Sequence, residues 1–204
     1  MAISPVINAT IYDISRDTPR DEDIFMVDTN VWFWLTYTKG IPPKRQYLNI
    51  YPTYIGNCLA AGSTLHHSGL TLSELSHLIE KTEREIFQLT LGNMVSAKEY
   101  RHNYPTERQN AVSEIEVSWQ QVESFASQIE LNVCKEVTDS CISSIKALGL
   151  DGYDLMIVDS MKNHNITNII TDDIDYCTIP GINVYTANRN LLQLASQQSK
   201  IKTR

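Results

Sequence analysis

Short apolar runs alternate along the chain with longer stretches in which apolar residues recur every three or four positions. Ile24–Val27 (IFMV) is a continuous apolar run that stops at an acid, the pattern of a short strand buried on both faces. The following VWFWLTY predicts a helix, stopped by Lys39-Gly40 and Pro42-Pro43. A second helical piece runs near Pro52–Ala61, with proline in its first turn. Ser63–His67 reads as a second strand. From Thr71, the residues Leu72, Leu75, Leu78, Ile79 and Ile86 make the apolar face of a long helix. Ile115, Trp119, Val122, Phe125 and Ile129 do the same for a helix over Thr106–Ile129. Leu131–Val133 predicts a third strand. A helix over Thr138–Leu148 ends at Gly149, and Asp151 caps the next, Gly152–Asn163. Thr167–Thr171 and Ile182–Thr186 read as two more strands, and Asn188–Gln198 as a last helix. Alternating strands and helices predict an α/β fold, with a parallel sheet covered on both faces through right-handed crossovers. On this reading residues 1–23 are a polar lead-in, 24–198 a single domain and 199–204 a basic C-terminal tail.

A length of 204 residues agrees with one domain and a real core. Charge narrows the function. The 17 Lys and Arg against 24 Asp and Glu leave a net charge of −7, which works against generic polyanion binding. Contact with nucleic acid would have to come from a local basic patch or from bound cations. The four cysteines, Cys58, Cys134, Cys141 and Cys177, form no CxxC pair, and the mixed, polar beginning is no secretory signal. Both point to reduced thiols in a cytoplasmic protein. No apolar run approaches the ~18 residues of a membrane span. GxG and GxxxxGK phosphate loops, a GxSxG elbow and an HExxH zinc motif are all absent.

What remains is a pattern of acids. Asp28 follows the first strand, and Glu74 lies in the first turn of the helix after the second. Asp154 lies in the first turn of the helix after Asp151, and Asp173 follows the strand Thr167–Thr171, with Asp175 two residues on. In an open α/β sheet, strand C-termini and the helix N-termini after them share one edge, where ligands bind. Converged carboxylates repel by roughly 4 kcal/mol per pair at ~4 Å and an effective dielectric of ~20. Such a cluster persists by holding a proton or a cation. An all-oxygen ligand set suits Mg²⁺ or Mn²⁺, which polarise phosphoryl oxygens and acidify water. Each acid also has a plainer reading. Thr71-Leu-Ser-Glu74 is a capping box, Asp151-Gly-Tyr-Asp154 is nearly one, and Asp172, Asp173 and Asp175 suit a turn. Asp28 is the least easily explained, because an acid inside an apolar stretch needs a partner.

Three segments resemble the PIN-domain nucleases: MVDTNVW (Met26–Trp32), SGLTLSELSHLI (Ser68–Ile79) and YDLMIVDSMKNHNITNIITDDIDY (Tyr153–Tyr176). Their order and relative positions match that family from about Ile24 to Tyr185. The resemblance implies an α/β/α sandwich around a central, mainly parallel sheet. It implies a metal-dependent hydrolase of RNA, leaving 5′-phosphate and 3′-hydroxyl ends. Asp28, Glu74, Asp154 and Asp173 would be the catalytic, metal-binding quartet, and Asp175 an accessory metal acid. Asn30 and Thr171 would support the site, with Asp172 ranked below them. The cofactor would be Mg²⁺ or Mn²⁺ and the substrate single-stranded RNA. The toxin role of a toxin–antitoxin pair, with an antitoxin partner, and a homodimer follow from the same resemblance.

Lys98, Arg101 and Arg108 interleave with Tyr100 and Tyr104. Cations could meet phosphates there while tyrosines stack bases, though a solvated connection between two helices explains the stretch as simply. The tail residues Lys200, Lys202 and Arg204 read as a frayed end or a phosphate contact, His77 as a partly buried polar residue, and the three tryptophans as core. Two other functions stay open. A phosphotransfer hydrolase with Asp28 as nucleophile would usually have a second acid where Asn30 stands. A PIN-like module that only binds RNA or protein would usually have lost one of the four acids.

Overall fold

The structure is a computed structural model that describes residues 5–40 and 47–204, so the Pro42-Pro43 helix stop lies outside the described residues. Among the described residues, seven strands form one sheet: β1 (Thr10–Asp13), β2 (Ile24–Val27), β3 (Thr64–Ser68), β4 (Ser127–Ile129), β5 (Asn168–Ile170), β6 (Asn183–Thr186) and β7 (Ile201–Lys202). Their order is β4-β3-β2-β5-β6-β1-β7, with every neighbouring pair parallel. Among the described residues, eight helices connect and cover it: α1 (Thr29–Thr36), α2 (Tyr47–Ala61), α3 (Thr71–Leu91), α4 (Ala97–Asn103), α5 (Pro105–Phe125), α6 (Lys135–Ile145), α7 (Gly152–Asn163) and α8 (Arg189–Gln197).

Two-residue alternation sorts the strand side chains between two cores. Phe25 and Val27 of β2, Ile170 of β5 and Tyr185 of β6 pack with Trp32, Tyr51, Leu75 and Ile79 from α1, α2 and α3. Met26, Ile169 and Val184 point the other way, toward Leu155, Val158 and Met161 of α7 and Leu191 of α8. Both faces are therefore apolar, which is why these strands read as continuous apolar runs. The result is the expected α/β/α sandwich.

Several boundaries differ from the sequence reading. The stretch read as a polar lead-in supplies β1, which pairs with both β6 and β7. The stretch read as a basic tail supplies β7 and places Arg204 between Asp17 and Asp23. Tyr12 and Tyr185 stack with ring centroids 4.6 Å apart, and the Arg204 guanidinium lies over both. The tail is therefore not frayed, and its Arg204 is committed to Asp17 and Asp23, while Lys202 stays exposed. The helix expected to reach Ile129 stops at Phe125, and the fourth strand is Ser127–Ile129, where Leu131–Val133 was expected. Pairing with β3 decides that register, because Ser127–Ile129 lies alongside His66–Ser68. Helix α6 runs three residues earlier than its apolar pattern predicts. Pro52 sits inside α2 and not in its first turn. Asp151 caps α7 as expected, accepting from the N–H groups of Tyr153 and Asp154.

Candidate active site

Asp28 is the first residue past β2, and its N–H donates across the sheet to the carbonyl of Ile170, the last residue of β5 (3.0 Å). Its carboxylate caps α1. Oδ1 accepts from the Thr29 N–H (2.6 Å), and Oδ2 accepts from Asn30 Nδ2 (2.7 Å) and from the Thr171 hydroxyl. Thr171, the first residue past β5, is fully buried and also accepts from the Asp173 N–H (2.9 Å). Asp173 Oδ1 in turn accepts from the Asp175 N–H (2.8 Å). The adjacent ends of β2 and β5 thus carry two acids on one hydrogen-bonded frame. Asn30 and Thr171 both stand beside Asp28 as its donors.

Glu74 and Asp154 reach the same edge from helices α3 and α7, both from the first turn. The capping box read at Thr71–Glu74 does not form. The Thr71 hydroxyl accepts from the Ser68 N–H, and Leu70 at the helix start makes no side-chain cap. Glu74 Oε2 accepts instead from the Thr29 hydroxyl, across to α1. Asp154 Oδ1 accepts from the fully buried Tyr176 hydroxyl (2.8 Å). Sequence reasoning gave Thr29 and Tyr176 no role. Their signal was membership in the segments Met26–Trp32 and Tyr153–Tyr176, next to Asp28 and Asp175.

Among the described residues, no Lys or Arg makes an ion pair with any of the four acids. The cluster therefore carries its own repulsion. Burial pushes Asp28 up to about 8; the Thr171 hydrogen bond pulls it down, and the charges of Asp154, Asp173 and Glu74 raise it again. Burial likewise pushes Asp154 up to about 7; Tyr176 opposes this, while Asp151, Asp173 and Glu74 add to it. Glu74 is raised by burial and by Asp151, against the Thr29 hydrogen bond, and Asp175 by burial and the neighbouring acids. Among the described residues, no three acids, histidines or cysteines already stand as a closed ligand set. The donor chemistry fits a hard divalent cation. Glu74 Oε1, Asp154 Oδ2 and Asp173 Oδ2 have no hydrogen-bond partner among the described residues, and every ligand on offer is oxygen.

The basic segment is placed differently. Tyr100 is buried, 1% exposed, with its hydroxyl donating to the Glu107 carbonyl, so it offers no face to a base. Arg101 and Arg108 both turn to Glu80 of α3, while Lys98 stays exposed. Asp172 leaves the cluster and accepts from the Tyr51 hydroxyl (2.9 Å). His77 is exposed and lines the groove beside Glu74. No described helix is long and apolar enough to cross a membrane.

Among solved structures, the chain is similar to VapBC2 from Rickettsia felis bound to a DNA fragment from their promoter. The likeness spans 80% of this chain and 98% of that one, at 17% identity and a TM-score of 0.47. No curated protein matches it. The family model of the PIN domain matches residues 25–182, from β2 to the turn before β6, and so takes in every acid of the cluster. With that match across most of its length, the chain belongs to the PIN-domain family, whose members are in general nucleases that depend on divalent metal.

Proposed function

We propose that this chain is a Mg²⁺- or Mn²⁺-dependent endoribonuclease that hydrolyses phosphodiester bonds of single-stranded RNA. One observation carries the reading: four acids from distant segments gather at one sheet edge, held by neutral donors and paired with no cation among the described residues. Asp28, Glu74, Asp154 and Asp173 would hold the cation, with Asp175 behind Asp173. Bound there, a divalent cation supplies polarisation of a phosphoryl oxygen and a water acidic enough to attack at neutral pH.

The chain's own groups do the positioning. Three donors fix the plane of the Asp28 carboxylate, so it needs no reorganisation when charge develops beside it. Thr29 serves two acids at once: its N–H holds Asp28 and its hydroxyl holds Glu74. Tyr176 fixes one oxygen of Asp154 and leaves the other for the cation. Burial and neighbouring like charge raise Asp28 and Asp154, so a cation held there would compete with protons for both carboxylates. A toxin role with an antitoxin partner, a homodimer and a cytoplasmic location belong to the same proposal. A short reading frame beside this one would support the toxin role.

The test is cleavage of an end-labelled single-stranded RNA with and without Mn²⁺ or Mg²⁺, by the wild type and by Asp28→Asn. Removing groups that merely support a metal's ligands costs about 10–100-fold, so loss of a ligand should cost at least a hundredfold. Metal-dependent cleavage by Asp28→Asn at the wild-type rate would reject the mechanism. RNA binding without cleavage by the wild type would favour the binding-module reading.

A further inference from the structure

A groove of about 620 Å³ runs from the acids along α3. Thr29, Glu74 and Tyr153 line one end; Glu80, Arg101 and Arg108 line the other. We infer that Arg101 and Arg108 form a phosphate subsite for the RNA strand leaving the acidic centre, with Tyr153 as a stacking platform beside the acids. This inference rests on the nuclease reading above and deepens it.

Glu80 is buried, 6% exposed, and both arginines converge on it. Arg101 Nη2 and Nε reach Oε1 at 2.6 and 2.8 Å, and Arg108 Nη1 lies 3.3 Å from Oε2. One guanidinium suffices to neutralise a buried carboxylate. Two leave a surplus positive charge, and their side chains remain 44% and 33% exposed. Arg108 Nη1 is itself buried beside Glu80 and makes no well-aligned hydrogen bond, so the ion pair leaves part of that guanidinium's donor capacity unused. In a chain of net charge −7, this surplus stands in the same groove as the acids. Glu80 pre-orients both forks, and arginine forks match phosphate oxygens.

Spacing fixes which phosphate is meant. Glu74 and Glu80 are six residues apart on α3, about 9 Å of helix, too far for one phosphate to touch both the acids and the arginines. The pair would therefore hold a neighbouring phosphate of the same strand. Tyr153 directly precedes Asp154 and is 59% exposed, a large aromatic face left to solvent beside the acids. Stacking on such a face tolerates any base, as single-strand binders require.

The experiment uses full-length protein carrying Asp28→Asn, so that RNA survives, and a fluorescent mixed-sequence oligoribonucleotide titrated across a salt series. Losing both arginines alone would leave Glu80 buried and unpaired, so the loss variant is the triple E80Q/R101Q/R108Q, whose folding is checked by its melting transition. It should bind RNA about tenfold more weakly, with the salt slope flattened by about 0.7 for each phosphate it ceases to neutralise. Tyr153→Ala should weaken binding by a similar factor. Glu80→Gln alone frees both guanidiniums and should tighten binding a few-fold, a gain no purely structural ion pair would produce. Unchanged affinity and slope in the folded triple variant would overturn the subsite. So would a loss confined to polyglutamate, which would assign the pair to an acidic protein segment. Turnover of bis(p-nitrophenyl) phosphate by the wild type with Mn²⁺ reports on the acids alone. Its absence would count against the nuclease reading, whereas its presence with unmoved RNA affinity would count against the subsite only.

Discussion

Asp23 and Asp28 bracket the four residues of β2, one at each end of the strand; Asp23 is buried and Asp28 half-buried. Asp23 faces Arg204, whose Nη1 and Nη2 donate to its two oxygens at 2.5 and 2.7 Å. Asp17 shares the same guanidinium through Nε (2.7 Å) and Nη2 (2.9 Å) and also accepts from the Tyr54 hydroxyl. Asp28 has near neighbours of its own sign and only neutral donors among the described residues. The consequences run in opposite directions. Burial pushes Asp17 up, but the hydrogen bonds from Arg204 and Tyr54 outweigh it and hold the carboxyl below its usual range. For Asp28 the opposing hydrogen bond is too small, and the acid rises to about 8. The difference lies in what satisfies each charge. The end of the sheet at Asp23 is closed by the chain's own cation. The end at Asp28 meets no cation among the described residues and is raised toward its protonated form, as a site for an added cation would be.

The largest way to break the contrast is to remove the internal cation. Arg204→Ala strands Asp17 and Asp23, both nearly buried, and should cost about 3–5 kcal/mol of stability by denaturant unfolding. A loss below about 1 kcal/mol would show that the two ends are alike after all. Cleavage per folded molecule should be untouched, since Arg204 lies at the other end of β2.

Adding a cation should act on the opposite end alone. In metal-free wild type, Mn²⁺ at ~100 times its dissociation constant should add roughly 2.7 kcal/mol, because only the folded chain assembles the acids. Asp28→Asn should lose most of that gain and Arg204→Ala should keep it. A melting temperature indifferent to millimolar Mn²⁺ in chelator-treated wild type would contradict the proposed cation site.

The smallest effect, and the sharpest in sign, is pH dependence without metal. Asp28 and Asp154 have folded values raised above the ordinary ~3.9. Their contribution is fully present below about pH 4 and is lost as pH rises through about 7 and 8, because the folded state holds protons the unfolded chain has released. Asp17 works the other way. Its contribution is present above the ordinary carboxylate value and is lost as acid takes it through its lowered folded value. Melting curves in chelator from pH 3 to 9 should show Asp28→Asn flattening the alkaline fall and Asp17→Asn flattening the acid one. A variant that flattens the wrong limb would reverse the assignment.

Local pattern made most of the fold legible. IFMV, TNIIT and INVYT fall on strands of the sheet, because a strand buried on both faces is apolar at successive inner positions, and STLHH overlaps β3 with Leu65 alone as its apolar anchor. The acids were legible for a related reason. A charge next to such a run, as Asp28 is, has no local partner to explain it. The arrangement of Glu74 was not legible, since a capping box and an edge-facing acid look alike until Thr29 is known to stand opposite. Nor was the burial of Tyr100, whose segment is as polar as any solvated loop.

By itself, then, the sequence determined the alternation of strands and helices, the apolar runs that build a parallel sheet, and the order of acids along that sheet's edge. These follow from residue periodicity and from the position of each acid just past a strand or in a helix's first turn. Only the tertiary structure decided the sheet's outer order and the fate of each charge. The strand TIYD and the pair Ile201-Lys202 carry too little pattern to announce β1 and β7, which exist because β6 and each other offer them backbone partners. Whether an acid is silenced, as Asp23 is by a residue 181 positions away, or left open, as Asp28 is, depends on contacts across the whole chain. No local window of residues contains them.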